Sequence, residues 1–187
     1  MTPIRETRRA DILRAAYMDF RESGFDRARM ENIARRAGIG KSTIYEYFQS
    51  KTDLFEAVMD WMIEKNRAEL YAIFTADTSF RDMVDAYLEH MHDLVQTALL
   101  GMMTLRGNEP VFEAVHSRVE HFGDFLVKNI TEAIRRAVAR GEVSEKIDPT
   151  AAALLVTSTF SPLIGPRADE NTLEKIREIL FQGLEPR

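Results

Sequence analysis

Apolar side chains recur every three or four residues along nearly the whole chain, and glycine and proline fall mostly between those runs. That spacing lays the apolar residues along one stripe of a helix, whereas a half-buried strand would need strict alternation bounded by hairpin turns, which no segment sustains. The chain is therefore expected to be all-α. The first helix should run from about Thr7 to Ser23, with Ile12, Leu13, Ala16 and Phe20 on one face and Gly24 as its stop. Short helices follow over about Met30–Ala37 and Lys41–Phe48. Ser50-Lys51-Thr52-Asp53 reads as a capping-box-like start for a fourth, to about Thr75. Asp77-Thr78-Ser79 opens a fifth, extending to about Leu100, and GMMTLRGNEP (101–110) is the expected irregular connection. A long stripe from Val111 ends at Gly141, Asp148-Pro149 caps the next helix, and a last one spans about Asp169 to Gly183.

With 187 residues the chain can bury a substantial core, as one large domain or two smaller ones. It has no cysteine, which excludes a disulfide scaffold, a Cys-ligated zinc and a thiol nucleophile. MTPIRETRRADILRAA lacks a signal-peptide pattern, and no run reaches the roughly 18 apolar residues that span a bilayer. A cytoplasmic protein without membrane association is expected. The net charge of −5 is unevenly divided: residues 1–51 carry eleven basic and seven acidic side chains, giving +4, and the remainder gives −9. A basic head on an acidic body suits a nucleic-acid-binding module fused to a domain with another task.

The head is where chemistry can be read. Two short helices joined by Gly38-Ile39-Gly40 have the spacing of a helix-turn-helix. In the second of them Ile44 and Phe48, four apart, point into a three-helix core, leaving Ser42 and Glu46 outward, flanked by Thr43, Tyr45 and Gln49, with Lys41 at the start. Such a face packs poorly but suits a groove: lysine can donate to guanine, hydroxyls to bases or phosphates, and tyrosine to a phosphate. Lys51, just beyond the helix, is within reach of the backbone. The second helix lacks a capping residue, with Ala28-Arg29 before it, and Arg29 is instead a phosphate-contact candidate. Glu46 is repelled by phosphates unless it accepts from cytosine N4.

RRADILRAAYMDFRESGFDRARMENIARRAGIGKSTIYEYFQSKTDLFEAV resembles the N-terminal domain of the TetR (tetracycline-repressor) family of bacterial transcription regulators. The shared elements are ILRAA, Phe20 with Gly24-Phe25, Ile33-Ala34 with Ala37-Gly38-Ile39, Lys41 to Tyr45, Tyr47-Phe48, Lys51 and Leu54. Together they cover about residues 7–58. The resemblance implies a homodimer with one helix-turn-helix per subunit, on double-stranded operator DNA. It implies DNA contacts at Lys41, Ser42, Thr43, Tyr45, Tyr47 and Lys51. It divides the chain into a DNA-binding domain over 1–51 and a ligand-binding and dimerisation domain over 52–187. It also implies a dimer interface built from the last two helices, about 150–163 and 169–184.

The second region is rich in methionine and aromatic residues, which line permissive apolar sites but equally fill cores. Trp61, Met62, Tyr87, Met91, Met103, Phe122 and Phe125 are the candidate lining of a pocket for a hydrophobic or amphipathic small molecule, with Asn66, His90 and Asn129 as candidate polar anchors. Neither His90 and His92 nor His116 and His121 have the spacing to share a metal ion, and no nucleophile elbow, P-loop, H-E-x-x-H or dinucleotide fingerprint occurs. Neither an enzyme, a metal nor a cofactor is expected. The function expected is a ligand-responsive regulator, most simply a repressor. The alternatives are an activator or ligand-independent regulator of the same fold, and a helical ligand-binding protein that no longer reads DNA.

Overall fold

Helices account for most of the computed structural model, which describes residues 3–94, 109–158 and 170–184. They are α1 (Pro3–Arg27), α2 (Met30–Arg36), α3 (Lys41–Tyr47), α4 (Lys51–Thr75), α5 (Phe80–Leu94), α6 (Glu109–Ala139), α7 (Pro149–Ser158) and α8 (Glu170–Leu184). No strand occurs among the described residues. The all-α expectation is met, and most boundaries fall within two residues of those read from the sequence. Of the expected irregular connection over 101–110, Glu109 and Pro110 already belong to α6, and 101–108, like the expected end of α5 near Leu100, lies outside the described residues.

Two compact units divide the described chain. The first holds residues 3–65 and 109–119, the second 66–94, 120–158 and 170–184. The expected division between residues 51 and 52 falls at the start of α4, whereas α4 and α6 each contribute to both units.

In the first unit, α1 begins at Pro3, four residues earlier than expected. Proline suits a first turn because the missing N–H has no partner there in any helix. Gly24, with φ 75° and ψ 163°, breaks the helix where the sequence places its stop, before one further turn to Arg27. The break lets Phe25 fold back: Phe20, Phe25 and Phe55 form an aromatic triad with ring centroids 5.0 to 6.0 Å apart. Ile12, Leu13, Ala16, Ile33, Ala34, Ile44, Phe48, Leu54 and Val58 complete a core from which water is excluded. Such burial, about 1.5–3 kcal/mol for each large apolar side chain, is what holds helices as short as α2 and α3, since seven residues do not sustain a helix alone.

Turn chemistry fixes how these helices join. Gly38 ends α2 in the left-handed region, φ 68°, with Ile39 N–H donating to Ala34 O at 3.0 Å and Gly38 N–H to Arg35 O at 3.2 Å, a Schellman motif. Ser50 Oγ accepts from Asp53 N–H at 3.0 Å, and the Asp53 carboxylate accepts from Gln49 N–H at 2.8 Å, so the capping motif read before α4 is present.

The second unit is held by Leu70, Phe74, Tyr87, Leu88, Ile130, Ile134, Ala137, Ala153 and Val156. Phe74 meets the rings of Tyr87 and Phe125 at 5.7 and 6.5 Å. Ser79 and Asp82 cap α5 reciprocally, and Asp148 Oδ1 accepts from Ala151 N–H at 2.6 Å at the start of α7. Gly141, φ 73°, ends α6 with a second Schellman motif.

Candidate nucleic-acid interface

The short α3 exists to carry one outward face. Ile44 is fully buried and Phe48, its C-cap, nearly so, which pins the helix by its inner side. Lys41, Ser42, Tyr45, Glu46 and Gln49 are then exposed, and Thr43 and Tyr47 half-buried. The face resolved from the sequence is the face the fold presents, and on it Tyr45 stands out, 45% exposed where an aromatic ring gains nothing from water. Gly40 leads into α3 with an extended backbone and without a side-chain cap, so the chain turns sharply without crowding the helix start.

Lys41 holds an ion pair with Glu31 of α2. The hydrogen bond and the charge attraction between them lower the Glu31 carboxyl below its ordinary pKa and raise that of Lys41. Both groups are open to solvent, where such pairs contribute little to stability. The pair therefore parks the lysine at the edge of α3 without committing it.

Arg29 is exposed at the N-cap of α2 and makes no side-chain capping bond, as its sequence context predicts. Lys51 has close partners within the protein. Its ammonium donates to the carbonyls of Phe25, Asp26 and Ala28 at 2.7, 3.2 and 3.3 Å, and it lies 4.4 Å from the Phe25 ring centroid. These carbonyls belong to the turn where α1 ends, so Lys51 ties α4 to α1, and its three donors are used inside the protein. The sequence offered no signal for this, because the partners lie 23 to 26 residues away.

Two arginines absent from the expected set come to α3. Arg5 places its guanidinium 5.6 Å from the Tyr47 ring centroid, and Arg9 sits 5.4 Å from that of Phe48. Both come from the first two turns of α1, and only the excess of basic residues in the head hinted at them.

The candidate ligand residues are divided between the two units. Trp61 and Met62 belong to the first unit, where Trp61 meets the Tyr17 ring edge-on at 6.1 Å. Tyr87, Met91, Phe122 and Phe125 belong to the second. Tyr87 and Met91 are buried, Phe122 stacks on Phe125 at 6.1 Å, and the Arg67 guanidinium covers Phe125 at 4.7 Å. Met103 lies outside the described residues. Of the polar anchors, Asn66 Oδ1 is 2.9 Å from His90 Nε2, and Asn129 Nδ2 donates to Phe125 O at 2.7 Å. A crevice of about 10 Å³, room for about one water, is lined by Phe74, Phe80, Met83, Arg136 and other residues, none of them candidates.

Among the described residues no group of three His, Asp or Glu side chains is placed to hold a metal ion, and no helix is long and apolar enough to cross a membrane.

A three-helix unit that pins α3 from behind and exposes its polar face beside a Gly-ended α2 defines a helix-turn-helix DNA-binding protein. Residues 12–58 match the family described as bacterial regulatory proteins, tetR family. Relatives agree along more of the chain. The HTH-type transcriptional activator FasR of Mycolicibacterium smegmatis is 29% identical over 109 residues, 58% of this chain and 50% of FasR. The HTH-type transcriptional regulator RutR of Escherichia coli is 26% identical over 196 aligned positions, 94% of this chain and 90% of RutR. Among solved structures, NalD, the secondary repressor of the MexAB-OprM multidrug efflux pump in Pseudomonas aeruginosa, superimposes with a TM-score of 0.66 at 24% identity, covering 98% of each chain. Residues 12–58 thus carry the pattern of the tetR family, and along most of its length the chain is similar to HTH-type transcriptional regulators.

Proposed function

We propose that the chain is a homodimeric repressor whose two α3 helices enter successive major grooves of a palindromic operator, and that a hydrophobic or amphipathic small molecule releases it. The observation that carries this reading is the α3 face itself. Lys41, Ser42, Thr43 and Tyr45 have donors that suit base edges and phosphates, and Tyr47 and Arg29 lie at its margins. Lys51 positions the helices rather than touching DNA. In functional terms residues 1–51 form the reading head and 52–187 the sensing and pairing body.

Pairing is supported by α7 and α8. Leu154, Leu155 and Ile179 are 53%, 68% and 70% exposed, although Ala152, Ala153, Val156 and Phe181 of the same helices are buried. Helices that are apolar on a second face bury it against a partner. In such a dimer the two α3 helices would stand about 34–36 Å apart, one turn of B-DNA. A ligand acts by binding more tightly to a dimer of different spacing. Moving the population from 1:99 to 99:1 takes about 5.5 kcal/mol of differential affinity. Tyr87, Met91, Phe122 and Phe125, with Trp61, Met62 and Met103, are the proposed contacts for that molecule.

A second reading is favoured by one finding: FasR is named an activator, so the fold is compatible with either sign of regulation. The test begins with purified protein and a random pool of duplexes. Enrichment of a palindrome, weakened by added salt, supports the reading, and no enrichment at low salt contradicts it. Placing the enriched sequence beside a reporter promoter then decides the sign: the repressor reading requires expression to fall when the protein is supplied.

A further inference from the structure

The first two turns of α1 hold Arg5, Arg8 and Arg9 within about 100° of the helix circumference, at spacings of three and four residues. Like charges so placed repel, and cations in a first turn also oppose the helix dipole. The only acidic residue of that turn is Glu6. Within the protein nothing described relieves this: Arg5, Arg8 and Arg9 form no ion pair, and the contacts of Arg5 and Arg9 are the faces of Tyr47 and Phe48. The other cations of the head are mostly engaged. Arg14 holds Asp11, Arg36 holds Glu22, Lys41 holds Glu31, Arg27 bonds Ser23 O, Arg35 bonds Asn32 Oδ1, and Lys51 bonds three carbonyls. Arg21 and Arg29 make no such bond, though their charges act on the carboxylates of Glu22 and Glu31. Self-repulsion retained at the edge of a DNA-reading helix, with the guanidinium of Arg5 stacked on a ring of that helix, is what a polyanion would relieve.

We propose, resting on the reading of α3 as the DNA-reading helix, that Arg5, Arg8 and Arg9 form a second DNA-contact element that grips backbone phosphates flanking the sequence read by α3. Arg5 is held over Tyr47, so the two elements share one edge, and the arginines add affinity and register without reading bases. Phosphate contacts of this kind release counterions and are visible in salt dependence alone.

The experiment measures affinity of the full-length protein for a duplex of random sequence and for a selected operator across a salt series. The proteins are wild type, the triple variant Arg5→Gln/Arg8→Gln/Arg9→Gln, the same triple changed to Lys, and Arg21→Gln as a control elsewhere on α1. The Gln triple should flatten the log–log salt slope by about 0.9 for each phosphate it no longer neutralises, two to three in all, on both duplexes. It should still select the wild-type motif. The Lys triple should keep the slope, since lysine meets phosphate as a point charge, and Arg21→Gln should leave it unchanged. A Gln triple with the wild-type slope and an unchanged thermal midpoint overturns the inference while leaving the α3 reading intact. A Lys triple as flat as the Gln triple overturns it as well. Wild-type protein showing no salt-sensitive binding to either duplex removes the α3 reading and this inference together.

Discussion

Lys51 carries an ammonium with three N–H donors, and the carbonyls of Phe25, Asp26 and Ala28 take them. Lys51→Met keeps the aliphatic stem and removes those bonds. It should lower stability by about 1–2 kcal/mol, seen as a lower urea midpoint, without changing the salt slope of DNA binding. A flattened slope would instead return Lys51 to the DNA-contacting set. Lys41 is the opposite case, exposed and paired with Glu31. Because the folded Glu31 carboxyl is lowered by the hydrogen bond from Lys41, the pair is fully formed above the ordinary carboxylate pKa and is lost as pH falls through the lowered value. DNA binding has to break the pair to use Lys41. Glu31→Gln should therefore strengthen binding to a selected duplex in low salt, with the advantage fading as salt rises. An equal or weaker affinity for the variant would show that Lys41 does not leave Glu31. The role proposed for Lys41 is read from its place at the start of α3, whereas its pairing with Glu31 is not legible, because the partner lies ten residues back on another helix.

At the scale of elements, the turn between α2 and α3 tests how far local chemistry sets the reading head. Gly38 needs its left-handed backbone, and a Cβ there would meet no neighbour, so any cost of Gly38→Ala is conformational, about 1–2 kcal/mol. Gly40 sits at φ −70°, and its Cβ would meet only Thr43 Oγ1 and Ser42 Oγ at ordinary distances. Gly40→Ser is expected to match or slightly exceed the wild type, because serine can cap α3. Urea unfolding of the two variants measures both, and equal losses would contradict the assignment of distinct roles. Most boundaries were legible because each helix carries its own punctuation: Gly24, Gly38 and Gly141 stop helices, and Ser50, Ser79 and Asp148 start them. The start of α1 was not. Pro3 and Ile4 lie before the first apolar face, and Ile4 is left exposed, so periodicity had nothing to register there.

For the whole molecule, the central expectation is a pair of chains joined through α7 and α8. Leu155→Glu with Ile179→Glu should yield a monomer by light scattering and lose most of the affinity for a palindrome, while binding of a single half-site persists. A variant that remains dimeric would place the interface elsewhere. The sequence showed these helices as apolar but not which face is spent internally. That depends on packing between distant elements, such as Arg81 against the Phe181 ring at 3.7 Å, and Arg177 with Asp85 at 3.0 Å. The candidate ligand residues were less legible for the same reason: methionine and aromatic residues at helical spacing look alike in a core and in a pocket. The most direct test of the account compares the motif selected from random duplexes by wild-type protein with that selected by Lys41→Ala. If α3 reads bases, the wild type selects a two-fold symmetric motif, and the variant loses its preference at one symmetry-related pair of positions while keeping the rest. An unchanged motif for Lys41→Ala, or an asymmetric one for wild type, would contradict it.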